Sequence, residues 1–176
     1  MNKQILQNNL KVVQNNFILV YAASRIFCEP RVLNILETLG EGSLGRYNMR
    51  FNEIAVFLKE DISKREKNNE FVKMGIRMML KEPFELVKDY CKLTNQISLF
   101  KKQKWYHFAR ILRNCVSHNF RFEFTNSDKK ILPVSYKGKT IDINMDNTDM
   151  HLSFFGQSDI WELFCEMGSF VNNVLN

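Results

Sequence analysis

Apolar residues recur at three- and four-residue steps along most of the chain, which is the periodicity of amphipathic helices. The first helix is predicted over about residues 4–27, with its apolar face formed by Leu6, Leu10, Val13, Phe17 and Val20. The same period predicts helices over residues 31–39, 52–61, 71–93 and 101–119, and a last one that starts at Gln157. We expect the helix over 71–93 to be bent or broken at Pro83.

The segments between these helices predict loops and a small β insertion. We interpret residues 40–47 as a loop and SKREKNNE, residues 63–70, as a polar connection. Phe120, Phe122 and Phe124 alternate with charged residues, which is typical of a half-buried strand, and 131–136 with 139–143 predict a hairpin. We therefore predict one mainly α domain over residues 1–176, a helical bundle with a β insertion at about 120–143 before its C-terminal helix.

Composition narrows the class of protein. The chain has 176 residues, of which 45% are hydrophobic and 25% charged, as expected for one globular domain and not for a disordered chain. The N-terminal residues lack the apolar block of a signal peptide, and no apolar run is long enough to span a bilayer. We expect a soluble, cytoplasmic protein with no membrane partner.

The cysteines and glycines give no sign of a metal or cofactor. Cys28, Cys91, Cys115 and Cys165 fit no zinc spacing, so we expect buried, reduced thiols and no metal site. Residues 40–45, GEGSLG, match a dinucleotide-binding pattern, but a helix precedes them where that motif needs a strand. We interpret them as a helix C-cap followed by a loop, and we expect no cofactor.

The helix predicted over 101–119 has two different faces. At about 100° per residue, one side is apolar, while His107, Ile111, Asn114 and His118 lie on the other and Arg110 borders them. A solvated polar face would give the same pattern. Imidazole is suited to proton transfer near neutral pH, and guanidinium is suited to phosphate, so this face also fits a nucleolytic site.

The residues Arg113-Asn114-Cys-Val-Ser-His118 resemble the R-N-x-x-x-H signature of the HEPN superfamily. That resemblance implies a dimeric helical bundle and, in catalytic members, a metal-independent endoribonuclease that yields 2′,3′-cyclic phosphate and 5′-OH ends. It implies that His118 is the general acid or base, that Arg113 binds the scissile phosphate and that Asn114 orients the site. His118 lies about 140° around a continuous helix from Arg113, which favours a site completed by a second copy.

The resemblance implies a toxin or antiviral-defence effector acting on RNA as a homodimer, with an antitoxin or regulator as a further partner. Some family toxins carry a modifiable Tyr two residues after the His, and in this chain that residue is Phe120. Residues 90–122 hold seven Lys and Arg and no Asp or Glu, so positive charge surrounds the motif. We expect RNA to be bound by Lys101, Lys102, Lys104, His107, Arg110 and Arg121.

Two other interpretations stay open from the sequence. The chain could be a non-catalytic module of the same kind that binds RNA or a protein. It could instead be a helical interaction or scaffold protein in which Arg113 and His118 have their spacing by accident. We also interpret Glu82, Glu85 and Asp89, which share a helix face, as solvated charge.

Overall fold

The computed structural model describes residues 2–27, 29–59 and 61–176, and for residues 44, 57, 59 and 61–68 it describes the backbone alone. Helices dominate this part of the chain, which confirms the predicted mainly α class. Contacts divide the chain into two compact units, Met1–Asn15 with Ile76–Asn176, and Asn16–Gly75. The expectation of a single domain over residues 1–176 stays a prediction.

Helices and short strands alternate along the chain. The helices are α1 (Lys3–Ile26), α2 (Pro30–Thr38), α3 (Phe51–Lys59), α4 (Asp61–Leu93), α5 (Ile97–Lys101), α6 (Tyr106–Ser117), α7 (Asn126–Lys129) and α8 (Gln157–Asn173). The strands are β1 (Glu41–Leu44), β2 (Tyr47–Arg50), β3 (Val134–Tyr136) and β4 (Lys139–Ile141), and Ile143–Met145 is a 3-10 helix.

The unit Asn16–Gly75 is built around the packing of α2 on α3, with a small core of Leu33, Leu36, Ala55 and Leu58. The loop predicted over 40–47 is wrong, because β1 and β2 form an antiparallel hairpin there. The two-residue turn between Leu44 and Tyr47 requires positive φ, which Gly45 supplies at +60°. Gly40, at φ +67°, follows the end of α2, as the predicted helix C-cap requires.

Helix α4 is longer than its apolar pattern predicts. Residues 63–70 are helical instead of forming a connection, and the helix continues through Pro83 without a break. The predicted connection is therefore wrong, the helix is not broken at Pro83, and a bend there stays a prediction. Helix formation does not require apolar residues, and Ser, Lys, Arg and Glu continue a helix that has already been nucleated. Pro83 removes one backbone hydrogen bond from the helix. The burial of Phe84 and Val87, which follow it, offsets this loss.

The unit Met1–Asn15 with Ile76–Asn176 has an aromatic core. The ring centre of Phe100 in α5 lies 5.1 Å from that of Phe84 in α4 and 5.9 Å from that of Phe170 in α8. At the end of α8, Lys3 Nζ donates to the Asn172 carbonyl at 3.2 Å, which satisfies a free helix acceptor. Most residues of the predicted apolar faces of α1 and α8 are buried, but Val20 is only half-buried. The buried residues are Leu6, Leu10, Val13, Phe17, Ile160, Leu163, Phe164, Met167, Phe170 and Val171.

The predicted β insertion is partly correct. The hairpin of β3 and β4 forms around Lys137 and Gly138, as predicted. Residues 120–124 do alternate between buried and exposed, but they form one isolated bridge, Arg121 with Asp149, and not a regular strand. Phe122 exchanges backbone hydrogen bonds with the loop opposite, donating to Thr148 O at 2.9 Å. The alternation therefore arises from an extended segment whose backbone is hydrogen-bonded to residues 147–150.

Candidate active site

Helix α6 carries the arginine and the asparagine of the motif and is shorter than predicted. It spans Tyr106–Ser117 and is preceded by the separate short helix α5. Ile111 is buried, at 2% exposure, so its predicted place on the polar face is wrong. More than half of the circumference of α6 is therefore buried, and its polar face is narrower than the sequence predicted. The residues predicted on its apolar side are buried, including Phe108, Ala109, Leu112, Cys115 and Val116.

His118 is the C-cap residue of α6, at the carboxyl end of the helix. Its backbone N–H still donates to Asn114 O at 3.0 Å, but its φ of −98° and ψ of 42° leave the helical region. The ψ of His118 redirects the residues that follow it, and the 140° separation from Arg113 stays a prediction. The imidazole is set by the turn that follows the helix.

That turn has an uncommon backbone. Asn119 and Phe120 have φ of 55° and 63°, in the left-handed region where a bulky residue costs on the order of 1–3 kcal/mol. Arg77 of α4 lies against it: Nε donates to Val116 O at 3.0 Å, and the guanidinium lies 5.5 Å from the Phe120 ring centre. Arg77 therefore caps α6 and supports the turn that holds His118.

The turn brings His118 to a carboxylate that the sequence pattern did not single out. His118 Nδ1 lies 3.0 Å from Glu123 Oε2, and the two side chains are 52% and 46% exposed. A carboxylate on Nδ1 favours the proton on that nitrogen and leaves Nε2 free to accept a proton. The exposed imidazole thus has the arrangement of an oriented general base. Glu123 could have been suspected from its place on the polar side of the alternation that follows His118.

Arg113 is held on the opposite flank of α6. Its Nη2 lies 2.8 Å from Glu85 Oε1 of α4, and its guanidinium lies 5.5 Å from the Phe84 ring centre. Glu85 also pairs with Lys88. Glu85 is only 30% exposed, so its interpretation as solvated charge is wrong. Arg113 Nε is buried with no hydrogen-bond partner among the described residues, so this donor is still unused.

Arg110 has a carboxylate partner of its own. Its Nη2 lies 2.5 Å from Oδ1 of Asp128, which is completely buried. Asp128 also accepts from the backbone and hydroxyl of Thr125 and so closes the capping box of α7. The arginine therefore stabilises the start of α7. Its role in binding RNA stays a prediction.

The other predicted RNA-binding residues lie at or near the surface. Arg121 Nη1 lies 3.7 Å from Asp149 Oδ1, and the pKa of His107 is lowered by partial burial and by the charge of Arg110. Three exposed lysines, at 101, 102 and 104, lie at the end of α5 and in the turn before α6. Among the side chains that the structure describes, none forms an ion pair with these lysines. These three lysines therefore place uncompensated positive charge at the start of α6, whereas His118 is at its end.

The side chains of the motif residues are not joined by hydrogen bonds or ion pairs in the described structure. Asn114 is half-buried, and no hydrogen bond or ion pair joins the side chains of Arg113, Asn114 and His118 within residues 69–176. Arg113 and His118 each lie beside a different carboxylate, which is Glu85 for Arg113 and Glu123 for His118. Sequence reasoning missed both partners, because each pairing depends on how the chain folds back on α6.

The thiols and carboxylates of the described residues do not gather into a metal site. No group of three or more His, Cys, Asp or Glu among them could hold a metal ion. No helix in the same part of the chain has the length and apolar character needed to cross a membrane. Cys91 and Cys115 are buried free thiols, Cys165 is exposed, contrary to our expectation, and Cys28 lies outside the described residues.

Comparison with protein-family models gave no match to this chain, and comparisons with curated proteins and with solved structures also gave none. The HEPN resemblance therefore depends on the residues from Arg113 to His118 and on the helical setting. Membership of that family stays a prediction.

Proposed function

We propose that this protein is a metal-independent endoribonuclease in which His118 transfers the proton that activates RNA. The observation that carries the proposal is the His118–Glu123 pair, 3.0 Å apart on an exposed turn. A carboxylate on one imidazole nitrogen orients the ring and stabilises the imidazolium that forms when the other nitrogen takes a proton. A purely structural histidine does not need this arrangement on the surface.

The proposed reaction uses the nucleophile that RNA itself carries. His118 Nε2 accepts the proton of a 2′-OH, the 2′-oxygen attacks the adjacent phosphorus, and the bond from phosphorus to the 5′-oxygen breaks. The leaving oxygen takes a proton from a second imidazole, which we assign to His118 of another copy. The products are a 2′,3′-cyclic phosphate and a 5′-OH. The active form is thus proposed to be a homodimer.

Arg113 is proposed to stabilise the charge on the scissile phosphate. Its stack on Phe84 and its pair with Glu85 fix the guanidinium in one orientation. The Nε donor is buried, so the remaining Nη N–H groups are the ones proposed to reach a phosphate. Asn114 is proposed to orient the phosphate, and the lysines at 101, 102 and 104 are proposed to attract the RNA strand. We further propose a cytoplasmic toxin or defence effector controlled by an antitoxin or regulator protein.

The alternative is a non-catalytic module that binds RNA or a protein. The pairing of three arginines of the basic region with carboxylates favours a module that binds a protein, since a guanidinium that must bind an RNA phosphate gives up such a partner or shares it. The two functions differ in one respect, because only the ribonuclease changes the covalent structure of RNA. The pairs are Arg110 with Asp128, Arg113 with Glu85 and Arg121 with Asp149.

The products of an RNA digestion test the proposal. Total cellular RNA is incubated with the protein in excess EDTA, and the ends of any fragments are analysed. The ribonuclease predicts fragments with 2′,3′-cyclic phosphate and 5′-OH ends. RNA that is bound but intact supports the alternative, and fragments with 5′-phosphate ends would contradict the mechanism.

Glu123 gives a second test because it acts through His118. Glu123→Gln keeps an acceptor for Nδ1 but removes the charge, and Glu123→Ala removes both. We expect a loss of cleavage of about tenfold for Gln and a larger loss for Ala. The matched readout is the ¹⁵N NMR spectrum of His118, in which the Nδ1-protonated fraction falls in Glu123→Ala. A spectrum unchanged by this variant would contradict the pairing.

A further inference from the structure

A second concave site lies at the other end of α6, away from His118. It is a cavity of about 420 Å³, within the range of small-molecule sites. The turn between α5 and α6 forms one wall and the last turns of α8 form the other. No residue of this cavity belongs to the proposed ribonuclease centre at His118. The residues that line the cavity include Lys102, Gln103, Lys104, Ser169, Asn173 and Val174.

The charge of the cavity favours an anion. Lys102 and Lys104 line it, and neither pairs with a carboxylate among the side chains that the structure describes. Glu166 also lines the cavity, but its Oε1 lies 3.3 Å from Lys137 Nζ and accepts from the Tyr136 hydroxyl at 3.1 Å. Lys137 also pairs with Glu162, so the Glu166 carboxylate is only partly compensated. The two ammonium groups still outnumber this one carboxylate and give the cavity a net attraction for a phosphate.

The remaining lining fits a base and not only a phosphate. Trp105 and Phe170 line the cavity with narrow edges of apolar surface, since each is only 3% exposed. Asn173 Nδ2 donates to a serine hydroxyl of its own helix at 3.0 Å, and Gln103 Nε2 donates to Leu99 O at 3.0 Å. Each amide keeps its oxygen and a second N–H for a ligand. An amide that offers a donor beside an acceptor matches the N6 and N7 edge of adenine.

We propose that this cavity binds an adenine nucleotide, with the phosphate on Lys102 and Lys104 and the base against Trp105, Phe170 and the amides. The ligand is a free nucleotide or one nucleotide of a single-stranded RNA, since both present the same base and phosphate. The cavity shares Lys102 and Lys104 with the proposed RNA-binding surface, but His118 takes no part in it, so nucleotide binding can be measured apart from RNA cleavage.

Isothermal titration calorimetry of the full chain with AMP tests this inference. We expect AMP to bind at least about tenfold more tightly than inorganic phosphate, adenosine or GMP, because each of these lacks one set of contacts. Lys102→Ala and Lys104→Ala should each weaken AMP about tenfold. Lys101→Ala is the matched control: this lysine is also exposed and adjacent but does not line the cavity, so the affinity of this variant should stay within about twofold of the wild type.

Other results would overturn the proposal. Absence of AMP binding to the folded protein, equal affinity for AMP and inorganic phosphate, or equal affinity for AMP and GMP would each contradict it. An equal loss in Lys101→Ala would show general charge attraction and would also contradict it.

Whether the cavity takes a free nucleotide or a nucleotide of RNA is tested with the His118→Ala variant, in which RNA should stay intact. Single-stranded oligoadenylate that binds more tightly than AMP and is displaced by it identifies RNA, and tighter binding of AMP identifies the free nucleotide. Retention of AMP binding in His118→Ala, with or without RNA cleavage by the wild type, separates this inference from the proposed function.

Discussion

Asp128 is the most deeply buried charged group in the described structure. Its ion pair with Arg110 holds the guanidinium of Arg110 in place. Its carboxylate is 0% exposed and is compensated by Arg110 and by the donors of Thr125. Burial of a charge is tolerated only when such partners are present. Arg110, a predicted RNA-binding residue, thus has a role in the fold that the sequence pattern could not indicate.

This environment predicts a large effect of a small change. Asp128→Asn removes the charge that Arg110 needs and should lower the free energy of unfolding by about 3 kcal/mol, measured by urea denaturation. Asp149→Asn is the matched control, because its pair with Arg121 is long and exposed, and it should change stability by less than about 0.5 kcal/mol. Equal losses in the two variants would contradict the assignment.

At the scale of the elements, the close approach of α1 and α4 depends on a glycine. A Cβ atom built on Gly75 would lie 2.6 Å from Val20 Cγ1, whereas one built on Gly168 of α8 would have no neighbour within 4 Å. The backbones can therefore approach at Gly75 only because it lacks a side chain.

The two helical glycines predict opposite results for the same substitution. Gly75→Ala should lower the free energy of unfolding by about 1–3 kcal/mol through overpacking. Gly168→Ala should raise it by up to about 1 kcal/mol, because alanine is the better helix former. Thermal unfolding of the two variants measures both. A stabilised Gly75→Ala would contradict the described approach of α4 to Val20.

Periodicity predicts the elements that bury an apolar stripe and misses those that do not. The helices α1, α6 and α8 are predictable because their apolar faces are buried, and the hairpin of β3 and β4 is predictable from its turn. The first part of α4 is missed because residues 63–70 have no apolar period. The hairpin at 41–50 is missed because its exposed strands bury too little to show alternation.

The candidate site could be predicted only in part, for a related reason. Arg113, Asn114 and His118 are identifiable because they are close in the sequence. Their carboxylate partners are not, since Glu85 lies on α4 and contacts Arg113 only through tertiary packing. The contact of His118 with Glu123 depends on positive φ at the two residues that follow His118, which is uncommon outside glycine.

At the scale of the whole molecule, the three described cysteines differ in chemical accessibility. Burial raises the pKa of the Cys91 thiol to about 11 and that of Cys115 to about 12, with a contribution from Asp149 at Cys115. Cys165 is exposed. The thiolate is the reactive form, so the two buried thiols have almost none of it near neutral pH.

Labelling with iodoacetamide at about pH 8, below the raised pKa values of the buried thiols, tests this difference. In a Cys28→Ser background we expect Cys165 to react in the native protein and Cys91 and Cys115 to react only after denaturation, as followed by mass spectrometry. Modification of Cys115 at the rate of Cys165 in the folded protein would contradict the burial of α6.

The charges of the molecule also determine where RNA is expected to bind. The chain has an overall charge of +6. Within residues 90–122, Lys101, Lys102 and Lys104 have no carboxylate partner among the described side chains. These lysines attract the strand in the proposed function, and His118 performs the proton transfer. The other four basic residues between 90 and 122 have carboxylate partners: Lys92, Arg110, Arg113 and Arg121.

The central claim is tested most directly by the rate at which His118→Ala cleaves RNA in excess EDTA, relative to the wild type. His151→Ala is the matched control, because His151 is an exposed histidine outside the proposed site. We expect His118→Ala to lose at least about 100-fold in rate, as removal of a general acid or base requires, and His151→Ala to stay within about twofold. Wild-type cleavage that His118→Ala retains would contradict the claim.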